Sequence, residues 1–177
     1  MKANDVWRLT RPELGQLLLN GFAVDVDALR DVSFRGVSLG LPRWVERLTW
    51  KEFRKEMFTD EATGLVVGRN VRVVSRSELV PLVDGASPPA ARTKDGLPEV
   101  FGPFGVRALT GSGYPCKVGV LLDYGLGHPA YHPMACLRDP IVALRKGSTD
   151  LLFGASYLSV AGALLATPSF FTLERER

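Results

Sequence analysis

The sequence predicts a mainly β protein in which about eight antiparallel strands close into one small barrel, with a short helix near the N-terminus. Eight segments carry strand-like patterns, turn residues separate most of them, and only one or two segments show helical spacing. Short antiparallel strands in this number favour a closed barrel, because closure removes the exposed sheet edges. The predicted strands cover residues 31–39, 49–58, 64–75, 103–110, 117–124, 137–145, 150–158 and 168–175.

The length of the chain favours one domain that spans residues 1–177. A globular chain of this size buries roughly two thirds of its unfolded surface, so it needs no disulfide or metal to fold. The two cysteines do not make a disulfide framework. We therefore expect free thiols and a reduced protein.

The helix is predicted over residues 11–20. Thr10 and Glu13 have the spacing of a capping box, and Pro12 suits the first helical turn. Gly21 follows the helix, where glycine can take a left-handed conformation. The apolar face of this helix is predicted to hold Leu14, Leu17 and Leu18.

The strand predictions in the first half rest on alternation and on turn signals. Val32 and Phe34 alternate with polar neighbours, and Gly36 predicts a bulge or a sharp bend inside that strand. Segment 49–58 fits neither the helical nor the strand period cleanly. It is predicted as a strand because residues 59–64 make a plausible hairpin turn into a valine-rich strand.

Residues 81–98 are predicted to form a long surface loop. Glycines and prolines, including the pair Pro88-Pro89, are concentrated there among small and charged residues. A loop of this length is either a lid or binding loop at an open barrel end, or a tolerated insertion. A domain boundary at this position is less favoured, because each half would be small for a core.

The composition favours some partners and excludes others. The net charge of +3 is mild, and the densest basic stretch, residues 43–55, also carries Glu46 and Glu52. A nucleic-acid partner is therefore not expected. The N-terminus lacks the apolar region of a signal peptide, and no run of apolar residues is long enough for a membrane span. We expect a soluble cytoplasmic protein.

Three stretches resemble known proteins: residues 50–53, residues 140–154 and residues 168–175. They are similar to lipocalin-like (calycin) β-barrels and, among these, to the bacterial GXWXG family. The Gly-x-Trp-x-Gly signature of that family is absent from this chain. The resemblance implies a lipocalin-like barrel whose interior holds a small apolar molecule, and it carries over no catalytic residue.

Asp123 and Tyr124 end a strand that is otherwise apolar. Adjacent strand residues point to opposite faces, so one of the two faces the barrel interior. Arg138 on the following strand is the expected partner of Asp123. This pair either orients the polar end of a ligand or braces two strands.

His128, His132 and Cys136 are spaced as possible metal ligands. Two prolines interrupt this segment, so it is not a helix that presents ligands on one face. A further ligand is not evident, and the alternative is a loop whose histidines lie at a pocket rim or in solvent. No metal and no other cofactor is therefore predicted.

Three functions remain open on this basis. The first is binding of a small apolar or amphipathic molecule inside the barrel. The second is a small-molecule isomerase or cyclase in which Asp123, Tyr124 and Arg138 supply acid, base or electrostatic stabilisation. The third is a structural or interaction module with a filled barrel. The predicted ligand-binding residues are Trp50, Phe53, Tyr124, Arg138, Tyr157 and Phe171, and the alternative for the aromatic members is core packing.

Overall fold

The computed structural model describes residues 1–40, 51–74, 88–110 and 113–176, and these residues form a closed barrel of eight antiparallel strands. Each strand pairs with the next along the chain, and β8 pairs with β1 to complete the ring. The prediction of a mainly β barrel is therefore confirmed. The strands are β1 (Val32–Leu39), β2 (Glu52–Thr59), β3 (Val66–Arg72), β4 (Val100–Ala108), β5 (Val120–Asp123), β6 (Leu137–Ala143), β7 (Leu151–Val160) and β8 (Ala163–Arg175).

Two short α-helices precede the barrel, α1 (Ala3–Val6) and α2 (Arg11–Leu19). The start of α2 is as predicted, because the Glu13 carboxylate accepts hydrogen bonds from the backbone N–H of Thr10 at 2.7 Å and from its hydroxyl at 2.6 Å. These two bonds lower the pKa of Glu13. None of the described helices is long and apolar enough to cross a membrane.

The helices pack on the outer wall of the barrel. Leu14 and Leu18 are buried in one apolar cluster with Val142 and Phe153, which lie on the outer faces of β6 and β7. The indole N–H of Trp7 also donates to the Thr172 hydroxyl at 3.0 Å. One region of the barrel wall is thus covered on its outer face.

Gly21 does not take the left-handed conformation that the sequence predicts. Its small size is required for another reason: an added Cβ would lie 2.2 Å from Cγ2 of Val142. The chain therefore passes close to the barrel wall immediately after α2.

We expect opposite effects from alanine at two neighbouring glycines. Gly21→Ala should lower the free energy of unfolding by about 1–3 kcal/mol, because Val142 must move away from the new methyl group. Gly15→Ala should raise the free energy of unfolding by about 0.5–1 kcal/mol, because no atom lies within 4 Å of its added Cβ and alanine favours the helix. Urea denaturation of both variants checks this, and equal effects would contradict the packing described for Gly21.

The sheet is regular at Gly36, where the sequence predicts a bulge. Gly36 pairs with Phe53 and Leu173, and the Phe53 ring occupies the space that a Cβ would need. The register shifts instead between β3 and β4 and between β7 and β8. The extra residues belong to β4 and β8, near Gly102 and Pro168, where an interrupted ladder tolerates glycine and proline.

The two ends of the barrel differ. At the end where β1 begins, Val24 and Leu29 from the preceding segment join the apolar cluster inside the barrel. At the opposite end, a long connection leads from β3 to β4. In its described part, residues 88–98 of the predicted loop, the Pro89 carbonyl accepts a hydrogen bond from the N–H of Val74. Residues 81–87 lie outside the described residues.

Candidate functional site

A cavity of about 490 Å³ opens at the end of the barrel where β1, β3 and β5 end. Its lining comes from side chains on the inner face of the sheet and from two 3₁₀ helices, Tyr124–Leu126 and Pro133–Cys136, that connect β5 to β6. The described lining residues are Ser38, Phe53, Lys55, Asn70, Phe101, Tyr124, Met134, Leu137, Asp139, Ser156, Thr167, Pro168, Ser169 and Phe171.

Four buried polar side chains meet at this cavity, and we call them the inner polar cluster: Lys55, Asn70, Tyr124 and Asp139. The ammonium group of Lys55 donates to the amide oxygen of Asn70 at 2.8 Å and to the Tyr124 oxygen at 2.7 Å. The Tyr124 hydroxyl donates to Oδ2 of Asp139 at 3.3 Å. Nζ of Lys55 lies 3.9 Å from the same carboxylate oxygen. The lysine and the carboxylate are thus linked mainly through the tyrosine.

Aromatic rings surround the lysine. Its Nζ lies 4.9 Å from the centroid of the Phe104 ring and 5.3–5.4 Å from the rings of Phe53, Tyr124 and Phe171. The faces of such rings attract a cation, but they do not replace its full hydration. Burial therefore lowers the pKa of Lys55 to about 8, against an opposing effect of the charge on Asp139.

The two acidic members respond to burial in the opposite direction. Burial raises the pKa of Asp139, and the charge of Lys55 opposes this rise. Burial, followed by the charge of Asp139, raises the pKa of Tyr124 well above its ordinary value. Hydrogen bonds from Ser156 and Tyr124 to the Asp139 carboxylate also favour its charged form and oppose the rise in its pKa.

Side-chain alternation in β2 and the register shift in β4 position the inner polar cluster. Lys55 shares the inner face of β2 with Phe53 and Met57, since alternate residues of a strand point to the same side. The register shift in β4 turns the Gly102 carbonyl toward Asn70, whose amide donates to it at 3.1 Å. Gly102 has φ +53°, and an added Cβ would lie 2.8 Å from the Asn70 amide nitrogen. Glycine is therefore required at this position.

Three of the predicted ligand-binding residues lie at the cavity: Phe53, Tyr124 and Phe171. Tyr157 packs instead edge-to-face against Tyr114 in the cluster beneath the helices, with ring centroids 5.5 Å apart. Trp50 falls outside the described residues.

Asp123 and Arg138 form the predicted ion pair, with Nη1 of Arg138 3.0 Å from Oδ1 of Asp123. The two residues are direct partners in the β5–β6 register. The other carboxylate oxygen pairs with Arg107 at 3.0 Å, and Arg138 also donates to the carbonyls of Ala135 and Leu137. These contacts join β4, β5 and β6, and none of these charged groups belongs to the cavity lining described above. The geometry is that of a brace between strands.

His128 and His132 lie with stacked rings, 4.1 Å between centroids. Nδ1 of His132 accepts a hydrogen bond from the N–H of Met134, and the Cys136 thiol donates to the Pro133 carbonyl. Burial and the neighbouring His132 lower the pKa of His128. Within the described ranges, no group of three or more His, Cys, Asp or Glu side chains could hold a metal ion.

The two charged members of the inner polar cluster, Lys55 and Asp139, are not among the residues predicted from the sequence. A usable signal is present in both cases. Lys55 alternates with Phe53 and Met57, and Asp139 alternates with Ile141 and Ala143. Each charged residue thus stands at a position whose strand neighbours on the same face are apolar, which places it inside the barrel.

No family model and no curated protein matches this chain. The resemblance to the GXWXG family therefore stays a prediction.

Proposed function

We propose that this barrel binds a small amphipathic molecule, with its apolar body in the cavity and its polar end at the inner polar cluster. The observation that carries the proposal is the joining of a cavity of about 490 Å³ to a buried set of hydrogen-bonding groups. Ligand pockets are typically about 300–1,000 Å³ in volume, mostly apolar, with a few convergent polar groups. The sequence resemblance implies a lipocalin-like barrel whose interior holds a small apolar molecule, which agrees with this proposal.

The charges of the cluster favour a neutral polar group on the ligand. The positive charge of Lys55 and the negative charge of Asp139 lie 3.9 Å apart and largely cancel at a distance. A ligand carboxylate would add a third buried charge, which is costly without a second cation. A carbonyl or hydroxyl group needs only hydrogen bonds, which Lys55 and Tyr124 at the cavity can supply.

Filling the cavity mouth should weaken binding. Leu137 is half-buried and lines the cavity, so Leu137→Trp places a larger ring in the space of the ligand. We expect the affinity for nonan-1-ol to fall by about tenfold or more, a loss of about 1.4 kcal/mol. Native mass spectrometry and isothermal titration calorimetry measure this affinity for the wild-type protein and the variant.

The matched control is Leu165→Trp on β8, because Leu165 is 53% exposed and is not part of the described lining. It should bind nonan-1-ol as the wild-type protein does. Equal binding by the wild-type protein and Leu137→Trp, or no binding by the wild-type protein, would overturn the proposal.

A small-molecule isomerase or cyclase is the second candidate. The Tyr124 hydroxyl supports it, because this group contacts both Lys55 and Asp139 beside the cavity and offers a route for a proton between them. The sequence predicts Asp123 and Arg138 as further members of such a site, and their ion pairs lie outside the cavity lining described above. The third candidate, a filled barrel, is not favoured by a cavity of this volume.

A further inference from the structure

We propose that Lys55 binds aldehydes or ketones covalently, by condensing with the carbonyl group of the bound molecule to form an iminium ion. This inference rests on the proposed function, because the carbonyl compound must first enter the cavity. It narrows the ligand class from neutral amphipathic molecules to those that carry a carbonyl group.

The position of the lysine is the first argument. Lys55 lines the cavity and is 2% exposed, whereas the five other lysines of the chain are all exposed. Asn70 and Tyr124 hold its Nζ at a fixed point beside the cavity. A carbonyl carbon in the cavity would thus meet a nucleophile of defined position, and positioning of this kind accelerates a bimolecular step.

The state of the amine is the second argument. Only a neutral amine attacks a carbonyl, and lysines in desolvated, apolar sites serve as such nucleophiles. With a pKa of about 8, about half of Lys55 is neutral at pH 8. An exposed lysine with the reference pKa of about 10.4 is neutral to well under 1% at that pH.

The neighbours of Lys55 suit each step of the condensation. The ammonium group first gives one proton to Asp139, directly or through Tyr124. The nitrogen lone pair then forms an N–C bond as the carbonyl π bond opens. The carbonyl oxygen takes a proton from Tyr124, and Tyr124 takes back the proton held by Asp139, so that the carboxylate is restored. The resulting hydroxyl leaves as water with the second amine proton, and the C=N bond forms.

The sum of these steps is ammonium plus carbonyl giving iminium plus water, with the charge of +1 conserved. The iminium replaces the ammonium as the cation of the cluster. It therefore keeps Asp139 as its counter-ion and the four aromatic rings as its surroundings. The cavity needs no further charged group to hold this product.

Trapping with nonanal and sodium cyanoborohydride, which reduces an iminium to a stable amine, tests the proposal. At about pH 8 with limiting nonanal, we expect peptide mapping to place the first alkyl adduct at Lys55, ahead of the exposed lysines and the α-amino group. Lys55→Arg keeps the positive charge but cannot condense, so it should form no adduct at this site. The matched control Lys146→Arg removes an exposed lysine and should leave the Lys55 adduct unchanged.

A pH profile separates a reactive lysine from one that is merely accessible. The rate of adduct formation should rise with a midpoint near pH 8. Asp139→Asn should move this midpoint to lower pH, because the carboxylate charge raises the pKa of Lys55.

Three outcomes would overturn the inference. Adducts spread over the exposed lysines, or a wild-type protein that binds nonan-1-ol but forms no adduct at Lys55, would do so and leave the proposed binding function standing. A protein that binds neither nonan-1-ol nor nonanal would contradict the binding function as well.

Discussion

Glu52→Gln is expected to lower the free energy of unfolding by about 3 kcal/mol, the largest effect we anticipate from a single substitution in this protein. Arg35 and Glu52 are both 1% exposed, and Nη2 of Arg35 lies 2.7 Å from Oε2 of Glu52, with Nε at 2.9 Å from the same oxygen. Removing the carboxylate charge takes the nearer carboxylate away from a buried guanidinium, since Glu174 lies farther from it, with Oε2 3.6 Å from Nη1 of Arg35.

The matched control is Glu56→Gln, on the same strand and the same outer face. Glu56 pairs with Arg69 at 2.9 Å, but the Arg69 side chain is 46% exposed, so solvent screens this pair. We expect a loss of less than about 1 kcal/mol. Urea denaturation at neutral pH compares the two variants, and similar losses would show that burial does not strengthen the dependence of Arg35 on Glu52.

The Arg35–Glu52 pair also links the N-terminal segment to the barrel. The guanidinium carbon of Arg35 lies 5.7 Å from the centroid of the Trp7 ring, and the Trp7 indole is held by Thr172 on β8. Stacking of this kind uses the planar, delocalised charge of arginine. A shift of Arg35 in Glu52→Gln should therefore also change the environment of Trp7, which tryptophan fluorescence reports.

The burial of Arg35 illustrates what alternation alone leaves undecided. The sequence places Arg35 on the face opposite Phe34, and this is correct, because Phe34 lies in the core inside the barrel. Alternation normally makes the outer face solvent-exposed. Here Trp7 and α2 cover that wall, so its outer residues form a second apolar cluster that includes Val37 and Phe153. Where a helix lies on a sheet depends on contacts distant in sequence.

The aromatic lining of the candidate site is predictable from the sequence, but its buried charged pair is not. The sequence predicts aromatic residues such as Phe53 and Phe171 at the site, because large rings are common in pockets. It does not predict the charged Lys55 and Asp139 there, because charged residues are rarely buried unless they are paired. Their pairing joins β2 to β6, and 84 positions of the chain separate Lys55 from Asp139. Only the closure of the barrel brings them together.

The register shifts were the least predictable feature. Gly36 was expected to mark one, yet the shifts fall beside Gly102 and Pro168. Glycine in a strand has two different causes, an irregular backbone or a neighbouring ring that needs its space. The second cause applies at Gly36, where an added Cβ would lie 2.1 Å from the Phe53 ring. Sequence alone does not separate them.

The wild-type protein should gain stability over Lys55→Met as the pH rises from about 7 to about 9.5, by about 2 kcal/mol. The pKa of Lys55 is about 8 in the folded protein and 10.5 for the free side chain. Between these values the unfolded chain binds a proton that the folded protein does not. The free energy of unfolding of the wild-type protein therefore rises with pH in this window, and this contribution is lost as the pH falls through about 8.

The same substitution acts on Asp139 in a way that increases the difference. Lys55 lowers the pKa of Asp139, so its removal raises that pKa further. A carboxyl group with a raised pKa in the folded state costs stability as the pH rises from its unfolded pKa to its folded pKa, so this effect adds to the difference over the part of the window that it covers. Urea denaturation of both proteins across the pH window measures the difference. Lys146→Met, at an exposed lysine, should run parallel to the wild-type protein. Parallel curves for Lys55→Met would instead mean that the lysine keeps an ordinary pKa, and the case for a neutral, reactive amine in the cavity would fall with that result.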